Sequence, residues 1–472
     1  MRRFAVPFAF AVLVVLAVTL LASSAAPRND PRLEGAYRKP AQNGWTYVHL
    51  QGAPAEIGYQ HGYLLAPEIA DSLAVVKLET RHDEQREWAF FRNAAQKMIW
   101  PKIDQEYRDE LQGIADGAQA HGVRVDVWDV VALNTFLEWP YYMKQYNKQH
   151  DNTQTASLGT AERCSAFVAT GSYTKDGKVV IAHNNWATYL EGTRWTYIFD
   201  VVPAQGHHFI MDGMPGLIHS GDDFGINDAG IVITETTIGD FSGFDTNGVP
   251  EFVRARKAMQ YSASIDDFAR YMKEGNNGGY ANDWLIADTR RNEIAHLELG
   301  LKNVTLERTN DGYFVGSNFP KDAKLIREEA PTYDPKDMSR SANARHARWK
   351  QLMAENKGKI DLEAAERFES DHYDTYDKKT EADERTLCGH IDLSARGSKP
   401  WVGPYGIAGA VQSKATTADM AAKMTLVAAA GHPCGHGFNA TEHIKAHPEY
   451  SWQKELLQDM PSGSWTTFAA TK

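Results

Sequence analysis

Apolar and polar positions alternate with two different periods along the chain, and the change falls near residue 164. Between residues 33 and 144, most apolar residues recur three or four positions apart, a spacing that predicts amphipathic helices. One opening strand is predicted in this part, over residues 44–50. After residue 164, short runs alternate apolar with polar residues and end at Gly, Pro, Asn or Asp, which predicts strands.

The strand-rich part also contains helices, so the sequence predicts an α+β fold. The predicted strands cover residues 195–202, 208–211, 230–237, 284–288, 293–299, 303–308 and 312–317. The predicted helices cover residues 250–273, 341–355 and 361–369, and the first divides where Ser264 and Asp267 resemble a capping box. Residues 424–428 fit a strand or a helix equally well, and residues 442–468 are predicted as helix and coil. Two packed sheets flanked by helices would bury the apolar faces of these elements.

A polar linker separates the two parts. Residues 145–162 contain Asn, Gln, Thr, Ser and Gly and almost no apolar residue, which predicts a loop open to cleavage. A β-hairpin is predicted directly after it, with a first arm from Cys164 to Thr170, a turn at Asp176-Gly177 and a second arm ending at Trp186. A cysteine that starts a buried strand behind an exposed linker suits an N-terminal nucleophile, because cleavage before it frees its α-amine.

Composition and charge limit the class of partner. The chain has 472 residues, 43% of them hydrophobic, and a net charge of −11. It has no block of Lys and Arg, so we expect no nucleic-acid partner. It also has no G-x-x-x-x-G-K loop, no G-x-G-x-x-G opening a helix and no H-E-x-x-H. The chain thus lacks these nucleotide-binding and zinc-binding motifs. A small-molecule substrate is the expected partner.

The N-terminus has the pattern of a secretory signal. Arg2 and Arg3 precede an apolar run over residues 4–22, and small residues follow it. Residues 1–25 are therefore predicted to be a signal peptide, which places the rest of the protein outside the cytoplasm, either secreted or periplasmic. The apolar run is also long enough to be retained as a membrane anchor, in which case this segment would be the only membrane contact.

The three cysteines leave at least one thiol without a disulfide partner. Cys388 and Cys434 lie in similar turns rich in Gly and His, so a disulfide between them is the simpler interpretation in an exported protein. A zinc site is the alternative, since two Cys and the three histidines His390, His432 and His436 are available, although their spacing fits no standard zinc finger. In either case Cys164 is the odd cysteine.

Cys164 is the candidate nucleophile. A thiolate attacks carbonyl groups readily once its proton is removed. The α-amine of a chain that begins at Cys164 would titrate at roughly 7.7–8.0, so it can act as the base. Strand alternation places His183 and Asn185 on one face of the second hairpin arm, close to Cys164. A buried cysteine packed as a small hydrophobe and a structural histidine are the alternatives.

Two further polar residues lie where strands begin or end. Asn282 is expected at the mouth of a strand, where its amide can stabilise an oxyanion, with turn formation as the alternative. Thr236 belongs to the polar cluster 234–237 at the end of an apolar strand. Its hydroxyl can hold a substrate, although strand propensity also accounts for threonine there. Arg340 and Arg345 open a predicted helix and would form a solvated basic face.

Several motifs together resemble one enzyme family. They are residues 56–62 and 110–117, Cys164-Ser165-Ala166, His183-Asn184-Asn185-Trp186, Glu235-Thr236-Thr237, Tyr280-Ala281-Asn282-Asp283-Trp284, Ser317-Asn318-Phe319-Pro320 and residues 430–434. In this order they resemble the N-terminal-nucleophile hydrolases of the phospholipase B-like type and the related acyl-CoA:6-aminopenicillanic acid acyltransferase group. The resemblance extends over roughly residues 44–468. Ala281 and Asp283 depart from the family's Asn and Gln, which leaves the substrate open.

The resemblance implies a four-layer αββα sandwich of two antiparallel sheets, with residues 424–428 as a strand. It also implies self-cleavage between Arg163 and Cys164. The chain would then comprise the signal peptide 1–25, a mostly helical pro-segment 26–163 that is retained as a subunit, and a catalytic core 164–472.

The roles of individual residues follow from the same resemblance. Cys164, His183, Asn282 and Thr236 are expected to be catalytic. The residues expected to support the substrate or the site are Asn185, Trp186 and Arg340.

The leading hypothesis is an exported, self-processing hydrolase that cleaves an amide or ester through a thioester on Cys164. This chemistry needs no metal and no organic cofactor. Acyl transfer through the same thioester is one alternative, because an amine can intercept the thioester in place of water. A non-catalytic binding protein that kept the fold is the other, and it predicts an uncut chain with an unreactive Cys164.

Overall fold

The computed structural model describes residues 30–150, 164–399 and 401–471. The predicted signal peptide, residues 151–162 of the linker and Arg163 of the predicted cleavage bond lie outside the described residues. Within the described ranges, every helix is too short or too polar to span a bilayer.

Helices make up most of residues 30–150, the part before Cys164 that the structure describes, as the apolar spacing predicts. The α-helices are α1 (Pro54–Leu64), α2 (Ala66–Asp83), α3 (Trp88–Ala94), α4 (Gln105–Ala120), α5 (Val127–Asn134), α6 (Trp139–Gln149), α7 (Tyr189–Gly192), α8 (Glu251–Tyr261), α9 (Ile265–Lys273), α10 (Ala323–Glu329), α11 (Ser341–Glu355), α12 (Leu362–Glu369), α13 (Ala418–Ala421) and α14 (Ala440–Ala446). The break between α8 and α9 falls where it is predicted, and the Ser264 hydroxyl accepts a hydrogen bond from the backbone N–H of Asp267.

Most strands follow Cys164, as the alternating pattern predicts, and two precede it. They are β1 (Tyr37–Arg38), β2 (Thr46–Gly52), β3 (Ser165–Thr170), β4 (Val180–Thr188), β5 (Tyr197–Pro203), β6 (Phe209–Gly213), β7 (Gly225–Asn227), β8 (Ile231–Thr237), β9 (Asn282–Asp288), β10 (Glu293–Leu299), β11 (Val304–Thr309), β12 (Gly312–Gly316), β13 (Tyr373–Asp374), β14 (Lys379–Thr380), β15 (Ala408–Thr417), β16 (Thr425–Ala430) and β17 (Thr466–Ala469). The ambiguous residues 424–428 are thus mainly strand.

All the described strands except β13 and β14, which pair with each other, form two large sheets that pack face to face. The larger has the order β1-β2-β5-β6-β7-β8-β9-β10-β11, and the smaller has the order β12-β3-β4-β15-β16-β17. Apolar side chains of both sheets, among them Val168, Ile181, Leu285 and Leu426, fill the space between them. This apolar layer between the two sheets forms the central core of the molecule.

Helices cover the outer faces of both sheets. Helices α1 to α6, with α8 and α9, share one apolar core with the larger sheet. On the other side, α11 and α12 pack on the smaller sheet, where the rings of Trp349 and Phe167 lie 5.3 Å apart. These four layers confirm the predicted αββα sandwich. Its strand pairs are antiparallel apart from β2 and β5, which pair in parallel.

The segment before Cys164 is built into this sandwich. Strand β2 pairs with β5 over seven residues, from Thr46 opposite Tyr197 to Gly52 opposite Pro203. Its helices bury their apolar faces against the same sheet. The boundary predicted at residue 163 therefore divides the sequence but not the hydrophobic core.

Three local expectations need correction. Helix α6 continues through Gln149, so residues 145–149 are helical and the predicted loop starts later, because local polarity does not prevent an amphipathic helix from continuing. The tail contains strand β17, which pairs with β16, where helix and coil alone are predicted. Cys388 and Cys434 are free cysteines, so the disulfide interpretation is wrong for this structure.

Candidate active site

Cys164 lies at the start of the predicted hairpin, immediately before β3. Its side chain is fully buried, and its backbone has a φ of 78°, in the left-handed region that costs a non-glycine residue energy. The hairpin register pairs Ser165 with Asn184. Consistent with this register, Sγ of Cys164 lies 3.8 Å from Oδ1 of Asn185. The sequence therefore correctly placed Asn185 beside the thiol.

His183 and Glu235 complete a buried cluster with the thiol. Sγ of Cys164, a ring nitrogen of His183 and a carboxylate oxygen of Glu235 all lie within 4.8 Å of one another. His183 also faces Asp222, whose Oδ2 lies 3.9 Å from its Nδ1. Burial, together with the charge of Lys414, lowers the pKa of His183 to about 3, so the imidazole is neutral.

Burial sets the protonation of the thiol and of Glu235. The pKa of the Cys164 thiol is raised well above its ordinary value by desolvation and then by the charge of Glu235. The pKa of Glu235 is itself raised, by desolvation and then by Asp223, and the Tyr280 hydroxyl donates a 2.9 Å hydrogen bond to its Oε1. The Cys164 thiol is therefore neutral in this structure, and only the loss of its proton would make it a strong nucleophile.

Two polar side chains of the larger sheet are buried without hydrogen-bond partners at this end of the sandwich. Neither Oγ1 of Thr236 nor either polar side-chain atom of Asn282 has a partner among the described residues. Thr236 contacts Gly316 so closely that a Cβ on this glycine would lie 2.5 Å from its hydroxyl, and Gly316 pairs with Ala166, two residues after Cys164. Asn282 stands opposite Thr237, the residue after Thr236.

Unpartnered buried polar atoms are costly, and several of them belong to residues around the candidate nucleophile. Nδ2 of Asn185 and both ring nitrogens of His183 are also buried and have no hydrogen-bond partner in the described part of the chain. Such groups are expected where a substrate supplies the missing partner.

Arg345 is a site residue that the sequence interpretation missed. Its position near the start of a charged helix predicts a solvated face, but the side chain is fully buried. Its guanidinium donates to the backbone carbonyl of Cys164, to Oγ of Ser165 at 3.0 Å and to Oδ1 of Asn318 at 2.8 Å. The only sequence signal for it was its position on a helix that must cover the smaller sheet.

Arg340 is the arginine that the family resemblance expects to support the substrate or the site. It precedes α11, and its guanidinium pairs with Asp240 at 2.8 Å and lies 4.5 Å from the ring of Tyr333. Arg345, five residues later and on α11 itself, donates to the carbonyl of Cys164.

Trp186 supports the site from behind. Strand alternation turns its indole away from Cys164 to the outer face of the smaller sheet, where the Arg345 guanidinium lies 4.2 Å from its ring. Its Nε1 donates a 3.3 Å hydrogen bond to the carbonyl of Leu387. Trp186 thus holds Arg345 in place and does not face the thiol.

A buried ionic cluster that no sequence motif indicates lies next to His183, around Lys414 of the paired strand β15. Nζ of Lys414 lies 3.2 Å from Oδ2 of Asp212 and contacts Asp222 as well. Nε2 of Gln412 donates to the same two carboxylates at 2.7 and 3.0 Å. Because Asp222 also faces His183, this cluster fixes the electrostatic surroundings of the site.

Comparison with known proteins identifies related sequences. A model of the Phospholipase B family matches residues 73–466. An uncharacterized protein of Archaeoglobus fulgidus is 26% identical over 56% of this chain and 44% of its own length. Phospholipase B of Crotalus adamanteus is 26% identical over 58% of this chain and 54% of its own length.

Two other matches are weaker or shorter. Putative phospholipase B-like 2 of Bos taurus is 30% identical over 29% of this chain and 26% of its own length. A solved structure of a conjugated bile acid hydrolase variant from Clostridium perfringens aligns with a TM-score of 0.32 and 11% identity, over 56% of this chain and 88% of that one. The chain spans about half or less of the length of the curated relatives named here.

Proposed function

The chain belongs to the phospholipase B family, and on this premise we propose that it is an exported, self-processing hydrolase of amide or ester acyl bonds. Its nucleophile is Cys164. The observation that carries the proposal is the group of buried, unpartnered polar atoms of His183, Asn185, Thr236 and Asn282 at the same end of the sandwich as this thiol. These atoms raise the energy of the free enzyme and gain partners when a substrate binds.

Self-processing is the first step of the proposal. Sγ of Cys164 attacks the carbonyl carbon of Arg163, the bond to the Cys164 nitrogen breaks, and a thioester forms while the nitrogen gains a proton. Water then hydrolyses the thioester, which leaves the acid at Arg163 and a free α-amine at Cys164. The positive φ of Cys164 and the Arg345 hydrogen bond to its carbonyl hold the residue in one strained conformation.

The freed α-amine supplies the base that the buried thiol otherwise lacks. It accepts the thiol proton, Sγ attacks the acyl carbonyl of the substrate, and the amine passes the proton to the leaving amine or alcohol. Water hydrolyses the resulting thioester and releases the acid. We assign the Asn282 amide and the Thr236 hydroxyl to binding the oxyanion or the substrate.

The segment before Cys164 stays bound after cleavage in this proposal. Strand β2 holds its backbone hydrogen bonds to β5, and α1 to α6 share the core with the larger sheet. Cutting one bond outside these elements removes none of those contacts. The mature protein is thus a complex of two fragments.

The substrate is assigned only as a class. A relative named phospholipase B favours an ester of a fatty acid, and the same thioester chemistry cleaves N-acyl amides. We therefore propose a lipid-like acyl ester or amide.

Purified full-length protein tests the proposal directly. Denaturing gels and N-terminal sequencing should show one fragment that begins at Cys164 and another that begins near residue 26, with hydrolysis of a phospholipid or an N-acyl amide. The Cys164→Ala variant should remain uncut and inactive. A wild-type chain that stays intact through long incubation and hydrolyses neither substrate would overturn the proposal.

A further inference from the structure

A second cluster of reactive side chains lies on the outer side of the smaller sheet. It contains His372, Cys388, His390 and Cys434, and one ligand atom of each lies within 4.8 Å of the other three. The four come from three segments: the turn after α12, the loop before β15 and the loop after β16. The catalytic proposal uses none of them.

We propose that these four side chains form a structural zinc site. Two thiolates and two imidazoles are a common ligand set for tetrahedral zinc in proteins, and four protein ligands leave no open position for catalysis. The proposal is independent of the hydrolase mechanism, which needs no metal.

The distances fit tetrahedral coordination. Nε2 of His390 lies 3.4 Å from Sγ of Cys388 and 3.4 Å from Sγ of Cys434. With Zn–S of about 2.3 Å and Zn–N of about 2.0–2.1 Å at tetrahedral angles, the expected N···S separation is roughly 3.5 Å. One imidazole nitrogen equidistant from two sulfurs is the arrangement that a shared ion produces. The two cysteines are free, as such a site requires.

The hydrogen-bond pattern also indicates a missing partner. Nε2 of His372 is buried and has no hydrogen-bond partner among the described residues. His390 and Cys388 are fully buried, whereas His372 and Cys434 are partly exposed. The cluster is therefore reachable by an ion from one side and closed on the other.

Neighbouring groups fix the ligands. The ring of His390 stacks on that of His432 at 3.9 Å, and the backbone N–H of Cys388 donates to the carbonyl of Asp371 at 3.1 Å. Such surroundings hold metal ligands in place before the ion binds. His432 and His436, which the sequence offered as ligands, are not among the four; the ring of His436 lies 5.5 Å from that of His390.

The proposed ion would anchor the loop that supports the active site. The carbonyl of Leu387, next to Cys388, accepts hydrogen bonds from Nδ2 of Asn184 at 3.0 Å and from Nε1 of Trp186. Gly389 packs so tightly on Trp186 that a Cβ there would lie 2.1 Å from the indole. Trp186 in turn contacts Arg345, which binds the carbonyl of Cys164.

Metal analysis of the purified full chain, prepared without chelator, tests the site. Elemental analysis should find about one zinc per chain, and Cys388→Ser and Cys434→Ser should reduce it to less than about 0.2. His436→Ala and Cys164→Ala are matched controls, which remove a neighbouring imidazole and the third thiol and should keep the ion. Cobalt substituted into wild-type protein should show thiolate charge-transfer bands and the visible bands of a tetrahedral ion, a result that does not depend on variants folding.

Three results would overturn the proposal. The first is wild-type protein that holds no zinc and takes up neither zinc nor cobalt when they are added. The second is a mass spectrum that shows Cys388 joined to Cys434. The third is zinc lost with Cys164→Ala and kept with Cys388→Ser, which would place the ion in the other cysteine cluster.

Discussion

The guanidinium of Arg345 donates a hydrogen bond to the backbone carbonyl of Cys164 across 181 residues of sequence. The same side chain reaches Oγ of Ser165 and Oδ1 of Asn318. Its planar group of donors therefore connects the start of β3 with the loop after β12. A residue on a helix outside the smaller sheet thus fixes the backbone at the proposed cleavage bond.

Replacing Arg345 with Lys should slow self-cleavage by roughly 10-fold or more. Lysine keeps the charge but has no planar fork of donors and cannot bind these acceptors together. The measurement is the rate at which the Cys164 fragment appears on denaturing gels, with a thermal melt to confirm folding. Arg348→Lys is the control, because Arg348 lies on the same helix and pairs with Asp371 at 2.7 Å. Equal cleavage rates in the two folded variants would contradict the role of Arg345.

Asn282→Ala should lower the rate of hydrolysis by about 10²–10³-fold, the usual cost of losing an oxyanion donor. The free energy of unfolding of this variant should change little, because neither polar atom of the Asn282 side chain has a hydrogen-bond partner to lose among the described residues. Hydrolysis rate and denaturant midpoint are measured on the same preparation.

Asn276→Ala should give the opposite result. Nδ2 of Asn276 donates to the carbonyl of Gly300 at 2.7 Å, and its Oδ1 accepts from the N–H of Gly278 at 2.9 Å. This variant should be less stable and remain active. Full activity of the Asn282→Ala enzyme would show that Asn282 has no role in the reaction.

Features set by neighbouring residues were predictable from the sequence. The hairpin at Cys164, the cap at Ser264 and the place of Asn282 at the start of β9 depend on alternation and turn chemistry within a few residues. The family motifs supplied the order of the layers. These features account for most of the fold and for the position of Cys164 in the candidate site.

Features set by distant residues were not predictable. Arg345 and Lys414 appear on the sequence as ordinary surface charges, and only the packing of a helix or a strand on the smaller sheet buries them. Strand β17 forms because its backbone pairs with the edge of β16. His372 joins the cysteines only after the chain folds. In each case the feature depends on a contact between residues that are distant in the sequence, so the local residue pattern does not predict it.

Lys414→Met should destabilise the protein by about 3–5 kcal/mol, the usual cost of breaking a buried ion pair. Lys414 is fully buried, and its removal leaves Asp212 and Asp222 close together without their cation. Chemical denaturation measures the loss. The exposed Lys423→Met is the control, and adding Asp222→Asn to Lys414→Met should restore part of the stability. A Lys414→Met protein as stable as the control would show that the charge is not needed.

His61 should lower the free energy of unfolding as the solution becomes acidic. Burial lowers its pKa to about 3, and its Nε2 accepts a 2.9 Å hydrogen bond from the N–H of Gly216. Because the folded pKa lies below the unfolded value, the stabilisation is present above about pH 6.5 and is lost as the pH falls toward 3. Between about pH 7 and pH 5 this one group should remove about 2 kcal/mol of unfolding free energy.

The His61→Gln variant isolates this contribution from other titrating groups. Glutamine can accept the same hydrogen bond from Gly216 but does not titrate, so its unfolding free energy should fall less between pH 7 and pH 5 than that of the wild type. Denaturant unfolding at both pH values gives the difference. The exposed His121→Gln should leave the wild-type difference unchanged. Parallel pH profiles for wild type and His61→Gln would show that His61 is not the acid-sensitive group.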